Sequence, residues 1–200
     1  MNGFEKRRLK KKNSILIAAL TLFKQYGYRK VTVAEIADKA SVSQVSIYNY
    51  FKSKENLKQE LLIKLMDDYY LEISNILEST DYIELKLEKL LLSMVDVVKR
   101  SSMQFLLESV ANDTFVNKYI LEKREKIKNL IVNFVEEGKK DDIIDDSVST
   151  NAIAIYIEIF QYYFNNNPSV ITKFENNPEL FMEVHSLFLK GLISKIKLNI

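Results

Sequence analysis

Two side-chain amides, Gln44 and Asn49, stand in a short polar stretch between Ser41 and Leu57, with the hydroxyls of Ser43, Tyr48 and Tyr50 around them. An amide donates and accepts at once, which is the pattern adenine presents in the major groove, and Val45 between them suits a thymine methyl. Other chemistry is poorly supplied. The chain has no cysteine and one histidine, His185, with no partner at ligand spacing, so nucleophilic catalysis and metal chemistry lack their usual residues. Asp67 and Asp68 are adjacent and on a helix would point about 100° apart, which is no facing acid/base pair. The aspartates between Lys139 and Asp146 lack the alternating spacing of a calcium loop and read as a solvated acidic loop. No enzyme activity, metal or cofactor is expected.

The amides need a helix to aim them. With Gln44 at zero and about 100° per residue, Ile47 and Phe51 fall near 300° and 340° and form one apolar edge that must be buried. Asn49 lies opposite that edge, with Val45 and Ser46 to either side. Tyr48 and Tyr50 project sideways. Small polar groups at the tip and long hydroxylated arms on both flanks suit a helix lying between two phosphate walls. Upstream, Val31 to Ala40 reads as a shorter helix in which Thr32 and Glu35 make a capping box and Val33, Ile36, Ala37 and Ala40 form the buried stripe. Only Ser41-Val42-Ser43 separates the two, with Ser43 placed as the second N-cap. Ser53 caps a third start, followed by Lys54 and Glu55.

Taken in order, Thr32-Val-Ala-Glu-Ile-Ala and then Val42-Ser-x-x-x-Ile-Tyr-x-Tyr-Phe-Lys-Ser-Lys-Glu-x-Leu57 resemble the DNA-binding domain of TetR-type bacterial transcriptional regulators, over roughly residues 13 to 60. One position departs: the family often has Gly where this chain has Ser41. The resemblance implies phosphate contacts from Thr32, Ser43, Tyr48, Tyr50 and Lys54, and base contacts from Gln44, Val45 and Asn49. It also implies a helical C-terminal domain that dimerises and holds a small-molecule effector. Repression of double-stranded operator DNA is the expected mode, because members of the family most often repress.

An all-α fold is expected on composition too, since two prolines and four glycines in 200 residues leave little turn chemistry for sheets, and 47% apolar content is enough for a core. The expected organisation is an N-terminal three-helix domain over residues 1–54 and a larger effector-binding and dimerisation domain over 55–200. Residues 1–60 carry thirteen Lys or Arg against five Asp or Glu, a net +8, and the remainder carries sixteen against twenty-two, a net −6. The basic charge therefore travels with the amides, as phosphate binding requires. Lys6 to Lys12 forms a basic arm ahead of a first helix that should begin near Asn13, bury Ile15, Ala19, Leu22, Phe23 and Tyr26 and stop at Gly27. The arm either tracks the DNA backbone or minor groove, or is a solubilising tail. No apolar run reaches the roughly 18 residues of a membrane span, and a cytoplasmic location is expected.

Further helices are expected from Glu55 to about Ser79, from an Asp81–Glu84 capping box to about Arg100, and through Tyr119 to a stop at Gly138, with shorter stretches carrying Phe105, Leu106 and Val110 after a break near Ser101. The stretch Ala152 to Phe164 is apolar almost all round, and the last helix, capped by Asn177 with Pro178 at its first position, is similarly rich. A homodimer interface is expected there, through Ile155, Ile159, Tyr163, Phe181, Val184 and Phe188. Met66, Tyr70, Met94, Phe105, Tyr119 and Tyr156 are the candidates for an effector pocket, because Met adapts its shape and Tyr brings a polar tip into an apolar cavity. Little buried charge is expected in these helices, which favours an apolar or aromatic effector. The competing reading is a helix-turn-helix regulator controlled by a protein partner.

Overall fold

The computed structural model describes residues 2–100, 113–141, 144 and 146–192. Among them the chain is helical throughout, with no strand. The first helix, α1 (Gly3–Tyr26), starts ten residues earlier than expected. Its cause is local: Asn2 Oδ1 accepts from the Glu5 N–H at 2.9 Å, and Glu5 Oε2 accepts from the Asn2 N–H at 3.1 Å. That capping box, followed by Lys, Arg and Leu with no proline, makes the basic segment part of the helix and not a frayed arm. Gly27 ends α1 at φ 80°, a left-handed position, with its N–H bonded to the Phe23 carbonyl.

Three more helices complete the N-terminal unit: α2 (Val33–Lys39), α3 (Gln44–Phe51) and α4 (Lys54–Leu77). Ile15, Ala19 and Phe23 of α1 meet Ile36 of α2, Ile47 and Phe51 of α3, and Leu57, Leu61 and Leu62 of α4 in one core. The expected division after residue 54 falls at the start of α4, whose first two turns belong to this core.

A second core joins the far end of α4 (Ile73, Leu77) to α5 (Ile83–Arg100), α6 (Thr114–Lys140), α7 (Thr150–Asn166) and the last described helix, α9 (Pro178–Leu192). Between the last two lies α8 (Pro168–Asn176), a short helix that the sequence reading left without an element. It contributes Phe174 to a small cluster with Phe181. Asn177 caps α9 as expected, its Oδ1 accepting from the Leu180 N–H at 3.1 Å.

One expected stop differs. At Gly138 the helix does not end: α6 runs on to Lys140, and a Cβ on Gly138 would lie 2.5 Å from Ile144 Cδ1, so glycine serves close packing there. α5 starts at Ile83, and the Asp81 carboxylate ahead of it accepts from Ser79 Oγ at 3.0 Å and Lys89 Nζ at 2.5 Å. The stretch carrying Phe105, Leu106 and Val110 lies outside the described residues, as does the Met94 side chain.

Candidate nucleic-acid interface

Ile47 and Phe51, each 1% exposed, seat α3 in the first core and so fix its rotation about its own axis. The opposite face is turned out. Val45 is 67% and Tyr48 48% exposed, Gln44 and Asn49 are exposed, and Ser46 and Tyr50 are half-buried. Ser43 caps the helix, its Oγ accepting from the Ser46 N–H at 3.1 Å and lying 2.9 Å from Ser46 Oγ.

Exposed Thr32 begins α2 in the same way. Its Oγ1 accepts from the Glu35 N–H at 3.2 Å, and Glu35 Oε2 accepts from both the N–H and the hydroxyl of Thr32 at 2.7 Å. Hydrogen bonds from the Thr32 backbone and side chain hold the Glu35 carboxyl below its usual range. Between α2 and α3 the chain turns through Ser41 at φ 53°, the left-handed region, while the Val42 N–H reaches the Ala37 carbonyl at 2.9 Å. The turn thus keeps the geometry that favours glycine although serine occupies it.

Lys54 is placed differently from the other eight residues of the expected site. Its Nζ donates to the Tyr28 carbonyl at 2.6 Å and lies 4.3 Å from the centre of the Tyr28 ring. Burial pushes its pKa down. This contact joins α4 to the turn after α1 and uses one of the three donors of the ammonium.

A cleft of about 400 Å³ opens between α3 and the N-terminal turns of α1, lined by Phe4, Arg7, Arg8, Lys11, Ser46, Asn49 and Tyr50. Sequence reasoning had the basic segment but not this placement. The available signal was the Asn2-x-x-Glu5 capping box together with the i, i+3, i+4, i+7 spacing of the four α1 residues.

The effector candidates divide. Tyr70 and Tyr119 come together where α4 packs on α6: Tyr119 OH donates to Asp67 Oδ1 at 2.6 Å, and Lys123 reaches the same oxygen at 2.7 Å while lying 4.6 Å from the Tyr70 ring centre, whereas Met66 is partly buried against both cores. Burial pushes the Asp67 carboxyl up, but the hydrogen bonds from Lys123 and Tyr119 outweigh it and hold the group below its usual range. Tyr156 belongs elsewhere, stacked on Phe188 at 5.1 Å and 7°. The expectation of little buried charge does not hold, since half-buried Asp67, Lys123 and Arg124 share that interface and Lys86 is buried against the Leu77 carbonyl.

The six expected interface residues also divide. Ile155, Ile159 and Tyr163 of α7 are 57%, 59% and 50% exposed on one helix face. Phe181 and Phe188 instead face inward, the first against Phe174 at 5.2 Å and the second against Phe160 at 4.5 Å, and Val184 is half-buried beside the first pair. Tyr162 on α7 and Leu187 on α9 are exposed as well, at 72% and 66%.

Residues 15–61, which hold α2, α3 and the helices that seat them, match the family model described as bacterial regulatory proteins, tetR family. Over these residues the chain carries the DNA-binding region of that family. The chain is 29% identical over 137 residues to the HTH-type transcriptional repressor KstR2 of Rhodococcus jostii, a match spanning 66% of each chain. It is also 27% identical over 189 residues to the uncharacterized HTH-type transcriptional regulator YvkB of Bacillus subtilis, covering 89% and 95%. Its fold resembles that of the transcriptional regulator FadR from Bacillus subtilis, solved in complex with stearoyl-CoA: TM-score 0.66, 18% identity, 92% and 98% of the two chains covered.

Proposed function

We propose that this chain represses transcription as a homodimer bound to double-stranded operator DNA, and that a small molecule with an apolar or aromatic body releases it. The display of Gln44, Val45 and Asn49 on the outward face of a helix anchored by Ile47 and Phe51 carries the reading. Those three side chains contact bases. Thr32, Ser43, Ser46, Tyr48 and Tyr50 contact or support phosphates around them, with Lys54 in a bracing role.

The exposed stripe of Ile155, Ile159, Tyr162 and Tyr163 supports pairing with a second copy, since an apolar face of this kind on a monomer is otherwise left in water. The effector is read at the α4–α6 interface beside Met66, Tyr70 and Tyr119, where Asp67 and Lys123 add a polar end. A neighbour solved with stearoyl-CoA and a relative named a repressor support this release mechanism.

An anisotropy titration tests it: operator duplex obtained by selection, with and without stearoyl-CoA as the first ligand tried and aromatic ligands after it. Release predicts operator binding weaker by roughly 5- to 150-fold, with DNA weakening ligand binding by the same factor. Operator affinity that no apolar or aromatic ligand alters would overturn it.

A further inference from the structure

We infer that the first three turns of α1 form a second DNA-contacting element, in which Arg7, Arg8 and Lys11 hold the sugar–phosphate strand that borders the groove entered by α3. The inference rests on the reading of α3 as the DNA-reading helix and adds to it a site that the helix-turn-helix does not contain.

Three observations carry it. The buried stripe of α1, through Ile15, Ala18, Ala19 and Phe23, continues N-terminally at helical spacing through Lys11, Arg8, Arg7 and Phe4. The face that packs the core therefore turns basic where the helix runs past the core, and the capping box at Asn2 keeps it helical there. Next, the cleft that this face makes with Ser46, Asn49 and Tyr50 contains three cations and no carboxylate. Like charges at i, i+3 and i+4 repel one another, and a polyanion laid along them removes that cost. Last, several lysines nearby and along α4 and α6 are matched by a carboxylate: Lys12 with Glu60, Lys58 with Glu55, Lys64 with Asp68, Lys123 with Asp67. Among the described residues Arg7, Arg8 and Lys11 have no such partner, and they face the helix whose exposed amide, Asn49, reaches for bases.

A strand lying in the cleft would have its phosphates against the guanidinium groups and Tyr50, and its bases towards Asn49. The element positions and does not specify, because charge on the backbone carries no base preference.

The test compares full-length wild type, an Arg7→Gln/Arg8→Gln/Lys11→Gln triple variant, Leu9→Pro and Asn49→Ala on selected and random duplexes across salt. Leu9→Pro keeps every charge but breaks the helix that aligns them. For the triple variant we expect a salt slope lower by about three per recognition helix engaged, affinity at least roughly tenfold weaker at 0.1 M salt on both duplexes, and an unchanged base preference. Leu9→Pro should weaken both duplexes despite its full charge. An unaltered slope in the triple variant, undiminished affinity in Leu9→Pro, or a changed base preference in either would overturn the inference. Asn49→Ala separates the two claims: if it leaves preference intact the reading of α3 fails, and if it alters preference while the triple variant binds normally only the α1 site fails.

Discussion

At the scale of single residues, Ser41 sits at the pivot of the DNA-reading unit in a conformation that a side chain pays for. Its φ of 53° is left-handed, and Lys52, which ends α3 at φ 67°, shares that region. Two hydrogen bonds hold the turn there, from the Ser41 N–H to the Asp38 carbonyl at 3.0 Å and from the Val42 N–H to the Ala37 carbonyl at 2.9 Å. Ser41→Gly should therefore raise stability by roughly 0.5–1 kcal/mol, and Ser41→Val should lower it by about 1–2 kcal/mol. Urea unfolding midpoints of the two variants against wild type measure this, and equal midpoints for all three would refute it. Family resemblance marked the position through an absent glycine. The φ angle puts the turn in the backbone conformation that glycine favours.

Residue roles were legible where helical spacing alone decides them. Ile47 and Phe51 had to be buried and Asn49 exposed, whatever they packed on. Lys54 was not legible, because its partner is a carbonyl 26 positions away in the turn after α1, and no local pattern reports such a contact.

At the scale of elements, α9 contains the only histidine of the chain, and its titration can be observed alone. His185 lies 4.2 Å from the Phe181 ring and 6.5 Å from the Phe188 ring, and burial pushes its pKa down to about 4. A pKa below the unfolded value of about 6.5 means that the fold favours the neutral form. Its contribution is then complete above about pH 6.5 and is lost as pH falls towards 4, with about 2 kcal/mol lost by pH 5. Thermal unfolding should show a lower Tm at pH 5 than at pH 7, and His185→Gln should flatten most of that difference. An equal pH response in both proteins would contradict the burial of His185.

The elements themselves were legible as amphipathic runs with caps, which is how the starts at Thr32, Ser43, Ser53 and Asn177 could be placed. Gly138 misled because a glycine after an apolar run signals a stop, whereas here Ile144 folds back against it and demands the missing Cβ. In α1 a run of like charges argues for a frayed arm, but the capping box at Asn2 makes the same residues helical. Phe181 and Phe188 were assigned outward because an all-apolar helix has no polar face to orient it; α5, α7 and α8 turn them inward.

At the scale of the whole molecule, two cores are bridged by the same pair of long helices. α4 supplies Leu57, Leu61 and Leu62 to the first core and Ile73 and Leu77 to the second, and α6 supplies Val116 and Ile120 to the first and Ile127, Phe134 and Val135 to the second. Gln59 of α4 donates to Asp113 at 2.7 Å, and Asp113 also caps α6, so the two helices are tied where they enter the reader. On the proposed release mechanism, a molecule bound between them would act on α3 through α4 and α6, to the extent that it prefers one arrangement over another.

Pairing through α7 would set the distance between two readers. Ile159 is 59% exposed, so Ile159→Glu should leave helical content unchanged while yielding a monomer by sedimentation, with operator affinity lower by roughly 100-fold or more. A monomeric variant that bound the full operator as tightly as wild type would remove the dimer from the mechanism. The central claim, that paired α3 helices read successive major grooves, is tested most directly by selecting binding sites from random duplex DNA with the wild-type protein. The account predicts an inverted repeat whose half-sites are centred about 10–10.5 base pairs apart, or a small multiple of that, with A·T pairs under Gln44, Val45 and Asn49. A single unrepeated motif, a G·C core at those positions, or no enrichment at all would contradict it.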